Sequence, residues 1–236
     1  MEPVLGIIGG MGPLASAEFM ATLYEFNLSG VEQEAPRCVL YSDPTVPDRT
    51  QAIANGNDTE VTHFLSRAAA SLCEAGAERL IVTCMTAHHF VERLPEDVRA
   101  RTISLVDVLM DAISASQSKL LLLATTGTRR SGLLAAHPRW SEVRERIVLP
   151  TAQDQNAIHD LIYTRLKSGG ADSSLLETFR EMTRAYGASG CLAACTDLHL
   201  LTRLWLRNPQ AHENFEFCDP LLHFAQRYRR YMHVES

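Results

Sequence analysis

The sequence predicts an α/β protein of two pseudo-symmetric lobes, each a mainly parallel sheet flanked by helices, with the active site in the cleft between them. Three observations predict this. Short apolar runs alternate with longer stretches of 3.6-residue periodicity, the pattern of strands joined by crossover helices. Residues 4–17 (VLGIIGGMGPLASA) and 120–133 (LLLLATTGTRRSGL) share one layout of apolar strand, small flexible turn and helix. Each is followed by a strand that ends in a cysteine, with Cys84 about 75 residues after Gly9 and Cys195 about 70 after Thr125. Two cysteines at equivalent places in two similar halves imply a duplicated lobe.

The predicted strands are residues 4–8, 38–41, 79–83, 102–105, 119–124, 147–149 and 190–194, each a short apolar run. Helical periodicity covers 16–27, 60–75, 106–115, 154–167 and 173–186, between those runs. The first lobe is expected over residues 1–100, completed by the C-terminal segment 208–236, whose helix over 220–234 returns to pack on it. The second lobe is expected over 101–207.

Composition narrows the function. The chain has 236 residues, is 46% hydrophobic and carries a formal charge of -6. That is apolar enough for a sizeable core and too acidic to favour nucleic acid or an anionic membrane surface as the main partner. No apolar run approaches the roughly 18 residues of a membrane span, and the opening MEPVLGIIGG lacks the basic start of a secretory signal. A soluble, cytoplasmic protein is expected. The six cysteines are too few and too scattered for a disulfide framework. Lysine occurs only at Lys119 and Lys167, against 20 arginines. Neither lysine has the sequence surroundings of a Schiff-base residue, so pyridoxal phosphate is not expected.

Four segments could carry chemistry. Gly9-Gly10-Met11-Gly12-Pro13 follows the first strand, where glycine permits a tight turn and the next helix offers free N–H groups. It fits a loose dinucleotide fingerprint, but the acidic residue closing the second strand, Asp43, lies about 30 residues on, instead of the usual 20 or so. Cys84-Met85-Thr86-Ala87-His88 begins where a hydrophobic strand ends and a helix starts. A thiol there has its thiolate stabilised by the helix dipole. Cys195-Thr196-Asp197 repeats that arrangement in the second half, whereas Cys38, Cys73, Cys191 and Cys218 read as packing residues. Asp43-Pro-Thr-Val-Pro-Asp48-Arg49-Thr50 reads as a proline-stiffened loop, from which Arg49 can grip a carboxylate through two parallel hydrogen bonds. No C-x-x-C occurs, so a zinc site is not expected.

Two thiols facing one another across a substrate carbon suit inversion at Cα, one removing a proton while the other supplies one to the opposite face. The same segments resemble the motifs of the aspartate/glutamate racemase family, in order and across essentially the whole chain. The resemblance implies a cofactor-independent amino-acid racemase with two α/β lobes, often a homodimer. It implies Cys84 and Cys195 as the acid/base pair, Arg49 as a carboxylate ligand, and Met11, Thr86, Thr126 and Thr196 as pocket residues. The chain departs from the family pattern at three places. Met85 stands where asparagine is usual, Asp197 where glutamate is usual and His199 where proline is common. Met85 lacks the donor and acceptor of the asparagine. It is expected to loosen the grip on a small acidic amino acid or to admit a less polar side chain. Two other readings stay open: another cysteine-dependent isomerase or decarboxylase acting on a dicarboxylate, and a ligand-binding regulatory protein that has lost turnover.

Overall fold

A computed structural model describes residues 2–208 and 215–233. The first sheet contains β1 (Leu5–Gly9), β2 (Cys38–Ser42), β3 (Arg79–Val82) and β4 (Thr102–Ile103), in the order β2-β1-β3-β4. The second contains β5 (Leu120–Leu123), β6 (Ile147–Val148), β7 (Gly190–Ala193) and β8 (Glu216–Cys218), in the order β6-β5-β7-β8. Every pairing is parallel, and the two orders are the same permutation. The duplication read from the sequence is therefore present in the topology.

The central strands β1, β3, β5 and β7 are covered on both faces and read as apolar runs whose alternate residues serve different cores. Leu5, Ile7 and Ile81 of the first sheet and Leu120, Leu122 and Leu192 of the second share one central cluster. That cluster also takes in α1 (Pro13–Asn27), α6 (Leu105–Ala115) and α12 (Pro220–Gln226), which lie between the sheets. Ile8, Leu80 and Val82 point the other way, onto α3 (Thr59–Glu74). Leu121, Leu123 and Cys191 likewise face α9 (Ala152–Thr164), α10 (Ser173–Ala185) and α11 (His199–Leu206).

Several expectations change. β4, expected with the second lobe, pairs with β3 in the first sheet, while β8, inside the segment 208–236 expected with the first lobe, pairs with β7 in the second. Residues 209–214 and 234–236 of that segment lie outside the described residues. The helix expected over 220–234 breaks at Arg227 into α12 and α13 (Tyr228–Met232), and α12 packs on α1 and α6. Arg49 is not on a loop. It opens a short helix, α2 (Arg49–Asn55), capped by the Asp48 carboxylate, which accepts from the Gln51 N–H at 2.9 Å.

Candidate active site

The two cysteines stand at the same offset in each lobe, two residues beyond the last residue of β3 and of β7. This is the carboxyl end of a parallel sheet, where open α/β proteins place their ligands. The first turn is held by Thr83, whose N–H and hydroxyl both reach Ile8 O, at 3.0 and 3.1 Å. Beyond it, His88 fixes the Cys84 carbonyl. The ring Nε2 accepts the Leu105 N–H at 3.0 Å, so the proton is on Nδ1, which donates to Cys84 O at 3.0 Å. Burial pushes the His88 pKa down to about 4, so the ring stays neutral. In the second turn the Ala194 N–H donates to Leu123 O at 3.0 Å, and the Leu198 N–H returns to Cys195 O at 3.1 Å.

The lobes meet closely around these turns. Thr196 Oγ1 donates to Thr83 O at 2.9 Å, and Thr86 Oγ1 lies 3.1 Å from Thr125 Oγ1 and 2.8 Å from Thr128 Oγ1. A Cβ on Gly127, in α7 (Thr126–Ser131), would stand 2.4 Å from Thr50 Oγ1. A Cβ on Gly12 would stand 1.9 Å from Asp197 Oδ1. The start of α1 thus faces a carboxylate of the opposite lobe, which removes the dinucleotide reading of the glycine turn. His199 makes a further joint: Nδ1 contacts Asp219 Oδ2 at 2.7 Å and Nε2 contacts Thr22 Oγ1 at 2.9 Å.

The two thiols have different charged neighbours. Arg49 is buried, with Nη1 donating to Pro47 O at 3.1 Å and Nε without a partner among the described residues. Burial disfavours the charge of Arg49, but the neighbouring Cys84 and Asp48 outweigh it and hold the guanidinium charged. At the other thiol, Cys195 Sγ lies 3.6 Å from Asp197 Oδ2. Burial first, and then the Asp197 carboxylate, push the Cys195 thiol well up, so it retains its proton.

Lys167 acts on both sides, a placement that sequence reasoning missed. Its Nζ donates to Asp197 Oδ2 at 2.7 Å and senses Cys195 and Cys84 alike. Burial disfavours its charge, but the three acidic groups outweigh burial and keep it protonated. It continues a row at four-residue spacing, Gln155, His159, Tyr163 and Lys167, along one face of α9 and the turn after it. Gln155 Nε2 donates to Ala124 O at 2.8 Å, and His159 Nδ1 accepts the Thr126 N–H at 3.3 Å. The Tyr163 hydroxyl donates to Asp48 Oδ2 at 2.8 Å, and the Lys167 ammonium sits 5.4 Å from the centre of its ring. The contacts of this row reach Asp48 of the first lobe and Ala124, Thr126 and Asp197 of the second.

A model of the Asp/Glu/Hydantoin racemase family matches residues 8–208, most of the chain and both cysteines. The chain belongs to this racemase family. A curated relative, the broad specificity amino-acid racemase RacX of Bacillus subtilis (strain 168), is 23% identical over 202 residues, covering 83% of this chain and 86% of its own. Among solved structures, Picrophilus torridus aspartate racemase superposes with a TM-score of 0.76 at 24% identity, over 96% of this chain and 94% of that one. Glutamate racemase from Campylobacter jejuni gives 0.62 at 17%, over 96% and 84%. These two likenesses establish the two-lobed α/β fold.

Of the residues proposed from the sequence, Cys84, Cys195, Arg49, Thr86 and Thr196 gather where the lobes meet. Met11 is buried at 1% exposure in the same cluster as Cys84, and Thr126 opens α7 beside His159. Met85 differs from expectation. It is 1% exposed and belongs to the central cluster between the sheets, so it packs as core and does not present soft surface to a substrate. All six cysteines are free thiols. Among the described residues no helix is long and apolar enough to cross a membrane, and no cluster of three or more His, Cys, Asp or Glu could hold a metal ion.

Proposed function

We propose that the protein inverts Cα of aspartate, glutamate or a related small acidic amino acid by two-thiol proton transfer, without a cofactor. The observation that carries the proposal is the placement of Cys84 and Cys195 at equivalent points of two lobes, with one ammonium, Lys167, acting on both. In one direction the Cys84 thiolate beside Arg49 removes the Cα proton, and Cys195, whose proton is retained, delivers one to the opposite face. The reverse reaction exchanges the roles. The carbanion formed in between needs fixed positive charge at the substrate carboxylate, and Arg49 and Lys167 supply it in a water-poor site. The vacant Nε of Arg49 leaves the guanidinium free to take a second oxygen.

The regulatory alternative rested on Met85, and its burial in the core removes that support. The family likeness adds a homodimeric assembly and a cytoplasmic setting to the proposal, and analytical ultracentrifugation checks the first. The test of the reaction is incubation with L- and D-amino acids in deuterated water, followed at Cα by NMR. Exchange with inversion on aspartate or glutamate is the expected result. Carbon dioxide release would replace the proposal with a decarboxylase, and binding without exchange would end it.

A further inference from the structure

Four residues after each cysteine stands a buried histidine, His88 after Cys84 and His199 after Cys195. Each opens the helix that follows its cysteine, α4 (His88–Val91) in the first lobe and α11 in the second. Each also reaches the start of the helix that follows the neighbouring strand. His88 Nε2 accepts the N–H of Leu105, the first residue of α6 after β4. His199 Nδ1 lies 2.7 Å from Oδ2 of Asp219, the cap of α12 after β8. The duplication of the lobes thus extends to this pair of histidines. Their second bonds differ. His88 Nδ1 turns back to Cys84 O, whereas His199 Nε2 crosses to Thr22 Oγ1, on α1 of the first lobe, at 2.9 Å. Thr22 gives its one hydroxyl proton to Glu18 O at 2.8 Å, so it accepts from His199. Asp219 Oδ1 accepts the Leu221 N–H at 2.8 Å, and its Oδ2 is left to accept from Nδ1.

We propose that His199 is the positioning residue of the second thiol. By holding α1 of the first lobe and the cap of α12 at once, it sets the turn that carries Cys195 relative to the lobe that carries Cys84. The inference rests on the two-thiol reading above. The turn between Cys195 and His199 is a single tight one, closed by the Leu198 N–H on Cys195 O, so a displaced ring displaces the thiol. Within it Thr196 reaches Thr83 O and Asp197 lies against Gly12, both of the first lobe, and His199 continues that line of contacts along α1. An apolar side chain would fill the same space without fixing a direction, whereas two buried hydrogen bonds on opposite ring nitrogens define one orientation. Proline, common at this position in the family, could make neither bond. The device therefore belongs to this chain and gives Cys195 an anchor at the same offset as the one His88 gives Cys84.

The test follows inversion and Cα exchange in deuterated water for both enantiomers of the acidic amino acid that wild type inverts. The variants are His199→Leu, His199→Asn and Thr22→Val, with folding checked by circular dichroism. His199→Leu should lower kcat for inversion by about 10–100-fold with KM within about twofold, because the substrate's own contacts are untouched. Its loss of exchange should fall on the enantiomer that Cys195 deprotonates, identified as the one whose exchange Cys195→Ser loses, and should spare the other. An enzyme that is merely destabilised loses both alike. His199→Asn keeps a donor in the place of Nδ1 and should recover part of the loss. Thr22→Val removes only the far acceptor and should show a smaller loss of the same one-sided kind. If His199→Leu does not fold, these two variants carry the test. Wild-type inversion in every folded variant, equal loss for both enantiomers, or a raised KM at unchanged kcat would overturn the inference while leaving the racemase reading intact. A wild type that inverts no amino acid would overturn that reading, and this inference with it.

Discussion

Lys167→Met removes the one ammonium that faces both thiols, and its cost follows from the partner left behind. Asp197 is 2% exposed and accepts from Lys167 at 2.7 Å. At an effective dielectric of about 20 their gross attraction is roughly 6 kcal/mol, offset by the desolvation of both ions. Stripping one partner from a buried pair costs about 3–5 kcal/mol, and the 22% exposure of the lysine side chain places this pair at the lower end, about 3 kcal/mol. In a chain of this size that lowers Tm by about 6–12 °C. The double variant Lys167→Met with Asp197→Asn removes the orphaned charge and should recover about half of the loss. Urea unfolding of wild type, both singles and the double gives the coupling directly. Activity should not follow stability, because the double still lacks the charge, and inversion should stay at least about 100-fold down in both. A single-variant cost below about 1 kcal/mol, or a double no more stable than the single, would refute the ion-pair reasoning. Restored inversion in the double would refute the role given to the charge.

Three other outcomes are expected. Arg49→Ala should weaken carboxylate binding by about 1.5–3 kcal/mol, and Arg49→Lys should recover part of it because the fork is lost; unchanged KM in both would remove Arg49 from the site. Met85→Asn should destabilise the fold by about 2–4 kcal/mol by placing an amide in the apolar cluster, without raising kcat/KM for aspartate; a gain in kcat/KM at unchanged stability would return Met85 to the pocket. His88 has its pKa depressed to about 4, below the ordinary value of about 6.5, so the unfolded chain binds the extra proton between those values. Its contribution is complete above pH 6.5 and is lost as pH falls toward 4, on the order of 3 kcal/mol in all. Urea unfolding at pH 7 and pH 4.5 should show a loss smaller by about 2–3 kcal/mol in His88→Gln than in wild type, and equal losses would contradict the neutral, doubly bonded ring.

What the sequence made legible were features that repeat or run long. The strands around Ile7, Ile81, Leu122 and Leu192 are buried on both faces and announce themselves as apolar runs, and the two cysteines stand out because the layout before them recurs. Short or composite features escaped. β8 spans only Glu216–Cys218, too few residues for any period to show. The prolines before Arg49 suggested a loop, but Asp48 caps a helix two residues after the last of them. Lys167 looked peripheral because Gly169 and Gly170 follow it, and a lysine in sequence carries no mark of the aspartate it meets across a turn. The spacing of Gln155, His159, Tyr163 and Lys167 was the available signal, since it puts four polar side chains on one face of a helix. Met85 failed in the opposite sense: a motif position implies a pocket, whereas the side chain follows the strand's inner face into the core.

The central claim is that each thiol serves one face of Cα, and Cys84→Ser and Cys195→Ser test it together. A serine hydroxyl supplies almost no anionic base at neutral pH, so each variant should lose inversion by orders of magnitude. Deuterium uptake at Cα from deuterated water, followed by NMR for L- and D-aspartate separately, then reads the remaining thiol. The account predicts that any residual exchange is confined to one enantiomer in Cys84→Ser and to the other in Cys195→Ser. Near-wild-type inversion in either variant, or residual exchange of the same enantiomer in both, would contradict it.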